Sequence, residues 1–352
     1  MTSIFTYNEP ITLESGARLE GYHLAYTTLG KLNKDKSNVI WVFHALTANS
    51  NPAEWWPGLV GEGRFFDPTE YFIICANKPG SPYGSISPLS TNPATGEPFY
   101  HDFPVFTITD MVKCYQQLRK HLGIEKIFLG IGGSTGGMQL LEWAIEEPEV
   151  FEHIVPIATN AVLSPWGIAF NSSQRLAIEA DGTWLNRSPD AGHKGMAAAR
   201  SIALLSYRQY NGYGITQPRD KAFVPLSHDV VFAADNYQRY QGLKLVNRFN
   251  AICYYRLTQA MDSHDVGKNR GGIEKALQQI KAHTLIIGIN SDILYPISEQ
   301  EYLQKHIRNS QLLAIASDFG HDGFLLEYEK IETSLRNFIQ HRSFHHLKVV
   351  NE

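Results

Sequence analysis

Six short apolar runs, each nearly continuous, limit what this chain can fold into more than any other feature. They are Val39 to Phe43 (VIWVF), Tyr71 to Cys75 (YFIIC), Lys126 to Ile131 (KIFLGI), His153 to Ala158 (HIVPIA), Thr284 to Ile289 (TLIIGI) and Leu312 to Ala316 (LLAIA). A strand that is apolar on both faces must be covered on both, which is the condition of a mostly parallel sheet with helices on its two sides. The intervening sequence supplies helices. Thr109-Asp110 opens a stripe of Met111, Val112, Tyr115, Leu118 and Leu122 that Gly123 stops, and Ile273, Ala276, Leu277 and Ile280 repeat the pattern before the run at 284. The segment from Ser164 to Gly272 is different: rich in Tyr, Arg, Asn and Gln, it has helical patterns but no strand run of comparable strength. The expected organisation is therefore an α/β core, residues 1–163 and 273–352, interrupted by a helical lid insertion, residues 164–272.

At 352 residues and 43% hydrophobic content the chain can bury a large core. A net charge of -4 gives no broad basic field, so nucleic acid and anionic membrane are not expected partners. Cys75, Cys114 and Cys253 are far apart, odd in number and without CxxC spacing, which suggests neither a disulfide framework nor a zinc site. The start, MTSIFTYNEP, has no basic segment before an apolar one, and no run approaches the ~20 apolar residues that span a bilayer. A cytoplasmic protein without a membrane anchor is expected, and the basic, aromatic tail from His341 to Glu352 reads as a solvated end.

Gly132-Gly133-Ser134-Thr135-Gly136-Gly137 follows the run KIFLGI directly and precedes the helical pattern Met138 to Ala144. Strand, sharp turn and helix around G-x-S-x-G form the nucleophile elbow of the α/β-hydrolase fold, in which small residues two before and two after the serine let strand and helix approach. The pentapeptide alone is common, and a glycine-rich connection with a capping serine would look similar; the strand before and the helix after favour the elbow. A phosphate loop is excluded because Met138 stands where a Walker lysine would, and no GxGxxG is present.

A serine hydroxyl is a weak nucleophile, so it needs a base and a group that orients the base, in the chain order Ser, acid, His. Asp292 comes just after TLIIGI and His321 in the polar loop after LLAIA, both at the expected C-terminal strand ends. An Asp before Pro296 can also be a turn former, and a loop His is usually a surface residue; three members in order at three strand ends make the catalytic reading the better one. The remaining late histidines, His306, His341, His345 and His346, lie in a helical pattern or the tail. The oxyanion donors expected are the backbone N–H of Thr135, at the positive end of its helix, and that of Leu46 or a neighbour in His44-Ala45-Leu46-Thr47, which follows VIWVF.

Several motifs carry a family resemblance over nearly the whole chain. His44 to Thr47 (HALT), Gly132 to Gln139 (GGSTGGMQ), Ser164 to Asn171 (SPWGIAFN), Tyr240 to Gly242 (YQG), Ala260 to Asp265 (AMDSHD) and Gly320 to Leu325 (GHDGFL) resemble the homoserine O-acetyltransferase family. The resemblance implies ping-pong acyl transfer from acetyl-CoA, as co-substrate and with no permanent cofactor or metal, to the hydroxyl of L-homoserine. It also implies a cytoplasmic homodimer serving methionine biosynthesis. In Ala197 to Tyr207 it implies that Arg200 grips the homoserine carboxylate with Tyr207 facing the same site; seven residues is two helical turns, so both share one face. Asp322 matches the residue that holds the ammonium. By base rate an Arg in a polar helix is an exposed side chain, and an Asp beside His321 is a loop cap.

Two departures stand out. Asn77 to Pro88 reads NKPGSPYGSISP where the family reads more like N-x-L-G-G-C-Y-G-S-T-G-P, and Thr47 is followed by Ala48 instead of glycine. Both loops are expected near the acyl pocket, which keeps succinyl transfer, serine as acceptor, or ester hydrolysis by the same triad as alternatives. Arg200 and Asp322 argue against a hydrolase of neutral esters, which has no use for them, and the complete triad argues against a silent binding protein.

Overall fold

The structure is a computed structural model and describes residues 2–219, 221–223 and 230–340. Its main sheet has eight strands: β1 Thr2–Tyr7, β2 Tyr22–Leu29, β3 Val39–Phe43, β4 Phe72–Ala76, β5 Ile127–Gly133, β6 Phe151–Ile157, β7 His283–Ile289 and β8 Ser310–Ile315. They are joined in the order β1-β2-β4-β3-β5-β6-β7-β8. The strands from β3 to β8 are parallel, and β2 pairs antiparallel with both β1 and β4. All six apolar runs became strands, Val39–Phe43 with unchanged bounds and the other five shifted by one or two residues at one or both ends. The expected run to Ala158 stops at Ile157, because Ala158 turns to φ 45°.

The antiparallel edge was not anticipated from the sequence. Within β1, Thr2–Tyr7, only Phe5 is fully buried, so no continuous apolar run marks it. Within β3 the alternation is visible in three dimensions: Val39, Trp41 and Phe43 join one hydrophobic core, Ile40 and Val42 the other. Both faces of the sheet are covered, as a strand of this composition requires.

Helix α1, Ile108–His121, begins earlier than the expected Thr109-Asp110. Thr107 is its N-cap, and Asp110 completes a capping box by reaching back to the Thr107 N–H. Gly123, at φ 63°, follows its end as expected. Helix α2, Thr135–Glu146, carries the elbow. Between β6 and β7 come α3 Pro165–Glu179, α4 His193–Tyr207, α5 Tyr210–Thr216, α6 Ala233–Val246 and α7 Ala251–Asp262. That segment was expected to be helical alone, but it also holds a two-stranded ribbon, Lys221–Phe223 with Val230–Phe232. Among the described residues it contributes no strand to the main sheet. The stripe expected from Ile273 to Ile280 is helical only over Ile273–Leu277. No helix of the described residues is long and apolar enough to cross a membrane. The tail from His341 onward lies outside the described residues.

Because β3, β5, β7 and β8 are parallel, the loops after them emerge at one edge of the sheet, where ligands of open α/β sheets bind. Those loops carry Leu46, Ser134, Asp292 and His321.

Candidate active site

Ser134 sits between β5 and α2 at φ 56°, ψ −124°, a strained conformation for a residue with a side chain. The turn is this tight because glycines allow it. A Cβ on Gly132 would lie 2.5 Å from the Gly136 carbonyl carbon, and one on Gly136 would lie 2.2 Å from the Phe43 carbonyl oxygen at the end of β3. The elbow is pinned from behind by the Ser134 N–H, which donates to the Ile157 carbonyl at 2.9 Å, and by the Thr159 hydroxyl, which donates to the Ser134 carbonyl at 2.9 Å.

His321 Nδ1 donates to Asp292 Oδ2 at 2.7 Å, and both residues are buried. The other carboxylate oxygen, Oδ1, accepts the N–H groups of Leu294 at 2.8 Å and Tyr295 at 2.9 Å. Both oxygens being occupied, Asp292 cannot turn away from the imidazole, and Nε2 is the ring nitrogen left to serve another group. Three rings enclose the imidazole: Tyr295 at 5.1 Å, Phe324 at 5.3 Å and Tyr207 at 5.7 Å between centroids. His306 is a helix residue facing Glu274 at 3.6 Å, away from this cluster.

Ser134, His321, Leu46, Arg200, Tyr207 and Asp322 all line one cavity of about 420 Å³. The sequence-derived candidates therefore meet in one place, except Asp292, which stands behind His321, and Thr135, which follows Ser134 and begins α2. As the first residue of a helix, Thr135 has an N–H with no acceptor four residues back. Leu46 lies in neither a helix nor a strand. On α4 the Arg200 guanidinium lies 5.3 Å from the Tyr207 ring centroid, and no carboxylate pairs with it among the described residues. Tyr207 is pushed above the usual phenol range by burial, against which the Arg200 charge works.

Asp322 is already paired in this structure. The guanidinium of Arg208, the residue after α4, holds its carboxylate, and Arg208 also donates to the Tyr237 hydroxyl at 3.0 Å.

Sequence reasoning missed Arg208, and with it Tyr295, Lys78 and Arg248. The phenol of Tyr295 is buried beside the triad; its pKa is pushed well above the usual range by burial, then by Tyr207 and Asp292, with the Ser134 hydroxyl nearby acting in the opposite direction. Lys78 is buried and reaches beneath the loop at Leu46. Arg248 donates to the Thr47 hydroxyl at 3.2 Å and the Tyr83 hydroxyl at 2.8 Å at the rim of the cavity. Only Lys78 left a trace in the sequence, as a charged residue in the divergent 77–88 loop.

A serine on a strand-to-helix elbow, with a histidine and a buried carboxylate delivered by later strands of a mostly parallel sheet, is the arrangement of α/β-hydrolase-fold enzymes. Residues 38–328 match the family model described as alpha/beta hydrolase fold. Within that class, the chain belongs to the homoserine O-acetyltransferase family. It is 49% identical over 335 residues to the homoserine O-acetyltransferase of Cyclobacterium marinum, a match covering 95% of this chain and 94% of that one. Among solved structures it is similar to homoserine O-acetyltransferase from Bacillus anthracis, with a TM-score of 0.87 at 25% identity over 98% of this chain and 99% of the other. The acetyl esterase MekB has the same fold, with a TM-score of 0.83 at 25% identity over 97% of each chain.

Proposed function

We propose that the chain moves an acetyl group from acetyl-CoA to the side-chain hydroxyl of L-homoserine through an acetyl-Ser134 intermediate, giving O-acetyl-L-homoserine. His321 Nε2 takes the Ser134 proton as Oγ attacks the thioester carbonyl, and returns it to the departing CoA thiolate. Asp292 holds the tautomer with Nδ1–H toward itself and stabilises the imidazolium. The backbone N–H groups of Leu46 and Thr135 receive the oxyanion. In the second half-reaction the homoserine hydroxyl gives its proton to His321 as it attacks the acetyl carbonyl, and His321 returns that proton to Ser134 Oγ as the acyl–oxygen bond breaks and Ser134 is released. Arg200 takes the homoserine carboxylate in a bidentate contact, with Tyr207 beside it, and Asp322 takes the ammonium while Arg208 fixes its carboxylate. Residues 164–272 form the lid that carries Arg200 and Tyr207, and at its rim Lys244 and Arg248 suit the phosphates of CoA. A homodimer in the cytoplasm belongs to this reading on the family resemblance alone.

The observation that carries the acceptor is Arg200, a cation on the cavity wall with no carboxylate of its own among the described residues. A neutral ester gives it no partner, which favours the transferase over an esterase with the same triad. Intact-mass measurement tests the whole scheme: mixing with acetyl-CoA should add one acetyl group, lost on adding homoserine and absent in Ser134→Ala. Preferential loading from succinyl-CoA, or unloading by serine but not homoserine, would overturn the substrate assignment. Unloading by water as fast as by homoserine would restore the esterase.

A further inference from the structure

Lys78 is a fully buried lysine, 1% exposed, with no carboxylate paired with it among the described residues; its neighbours include the Cys75 thiol and the His44 ring, both kept neutral by burial. An ammonium in such a place is costly, and an apolar side chain of similar length is generally tolerated or preferred there. What it does with its three N–H bonds is therefore informative. Nζ donates to the His44 carbonyl at 2.9 Å, the Thr135 hydroxyl at 3.1 Å and the Ala45 carbonyl at 3.2 Å. The first and third tie down the loop after β3; the second ties that loop to the first residue of the elbow helix.

The Ala45 carbonyl and the Leu46 N–H belong to the same peptide unit. In a trans peptide they point in opposite directions, so whatever fixes one aims the other. Ala45 O is held three times, by Lys78 Nζ, by His44 Nδ1 at 2.8 Å and by the Ala48 N–H at 3.2 Å, and Lys78 is the one of these that also reaches the elbow helix. His44 Nε2 accepts the Lys78 backbone N–H at 3.2 Å, which makes Nδ1 the protonated nitrogen, and burial keeps the ring neutral. Lys78 thus acts on this peptide directly through its side chain and indirectly through its main chain. Leu46 and Ala45 line the cavity that also holds Ser134.

We propose that Lys78 is a positioning residue of the oxyanion hole, locking the Ala45–Leu46 peptide so that the Leu46 N–H faces the acyl oxygen at Ser134. It also holds the Leu46 and Thr135 donors at a fixed separation, because it bridges the two elements that carry them. A polarised carbonyl makes its own peptide N–H a stronger donor, so Lys78 in its protonated form strengthens the Leu46 contact as well as aiming it. This inference rests on the reading of Leu46 as an oxyanion donor.

The test is Lys78→Met, which keeps length and burial and removes the donors. Losing one oxyanion donor costs about a hundred-fold to a thousand-fold in kcat, and loosening one costs less, so the rate of acetyl-Ser134 formation should fall about ten- to a hundred-fold. The KM for acetyl-CoA should stay within about two-fold, and the unfolding midpoint should be equal or higher, since a buried charge has gone. A variant that is as stable and slower is what a merely structural lysine cannot give. Lys78→Gln, with a shorter donor, should lie between the two and serves the same test if Lys78→Met does not fold. Wild-type acylation rates in either folded variant, or a rate that falls only in step with stability, would overturn the inference. Failure of the proposed acetyl-Ser134 mechanism, on which the inference also rests, looks different, because then the wild-type protein itself would not be acetylated at Ser134.

Discussion

The carboxylate of Asp322 is clasped by the guanidinium of Arg208, so the loop that carries His321 is tied by an ion pair to the residue that ends helix α4. The contact is close because Gly320 permits it: at φ 63°, a Cβ there would lie 2.8 Å from the Arg208 carbonyl carbon. Arg200 and Tyr207 belong to that same helix. The residues proposed to recognise the acceptor and the histidine proposed to activate it are thereby held in one frame, although Arg200 and His321 are 121 positions apart in the chain.

Arg208→Met should loosen this frame. With both partners partly exposed, the loss of the ion pair should lower stability by about 1–3 kcal/mol, less than for a fully buried pair. Acetyl-Ser134 formation should change little, while the KM for homoserine rises. Urea unfolding together with the two half-reactions checks this; an unchanged homoserine KM would make Arg208 a stabilising residue only.

His321→Ala and Asp292→Asn should each lower acylation by about three to four orders of magnitude, the first by removing the base and the second by allowing the wrong tautomer. Since both act on one proton transfer, the double variant should be little worse than His321→Ala. Single-turnover acylation by acetyl-CoA measures it, and multiplicative losses would show that the two do not act as a unit.

Arg200→Ala should separate the two half-reactions. Acylation from acetyl-CoA does not involve the acceptor carboxylate and should proceed normally. Loss of a charge-assisted bidentate contact costs on the order of 2–5 kcal/mol, so transfer to homoserine should weaken roughly thirty-fold to several-thousand-fold. A normal second step in the rapid-quench assay would remove Arg200 from the acceptor site.

Lys78 gives a pH dependence of stability with a definite sign. Burial brings its pKa down to about 7, while in the unfolded chain it stays near the usual lysine value of about 10.4. The groups facing it are His44, kept neutral by burial, the neutral thiol of Cys75 and the Thr135 hydroxyl. Above pH 7 the native protein releases this proton and the unfolded chain keeps it, so this residue's contribution to stability rises from pH 7 to about 10 and is least favourable below pH 7. The difference in stability between wild type and Lys78→Met should therefore shift in favour of wild type by on the order of 2–4 kcal/mol over that window. Urea unfolding of both at pH 7 and pH 9.5 tests it, and parallel pH profiles would show that Lys78 does not titrate.

The parallel core, the elbow and the order Ser134, Asp292, His321 were legible from local sequence because each has a local cause. Both-faced burial writes continuous apolar runs, a strained turn demands glycine at fixed offsets, and a parallel sheet delivers every strand end to one edge. The half-polar edge strand β1 had no such signature, since an edge strand needs only one buried face and Phe5 alone is fully buried in it, while in β2, an interior strand, His23, Thr27 and Thr28 interrupt the apolar run. Likewise the Thr107 cap lay outside the apolar stripe from which the helix start was read.

What the sequence alone determined, then, was chemistry carried by residue type and spacing along one strand or turn. What tertiary structure alone decided was pairing between segments distant in the chain. Nothing in the residues around Asp322 indicates that Arg208, 114 positions earlier, neutralises it. Nor does the run Asn77-Lys78-Pro79 show whether its lysine points to water or, as here, spends all three N–H bonds on the loop at His44 and Ala45 and on Thr135, 57 positions away. Electrostatic and hydrogen-bond partners are set by which side chains the packed core brings within about 3 Å of each other, and that distance has no expression in the sequence until the chain has folded.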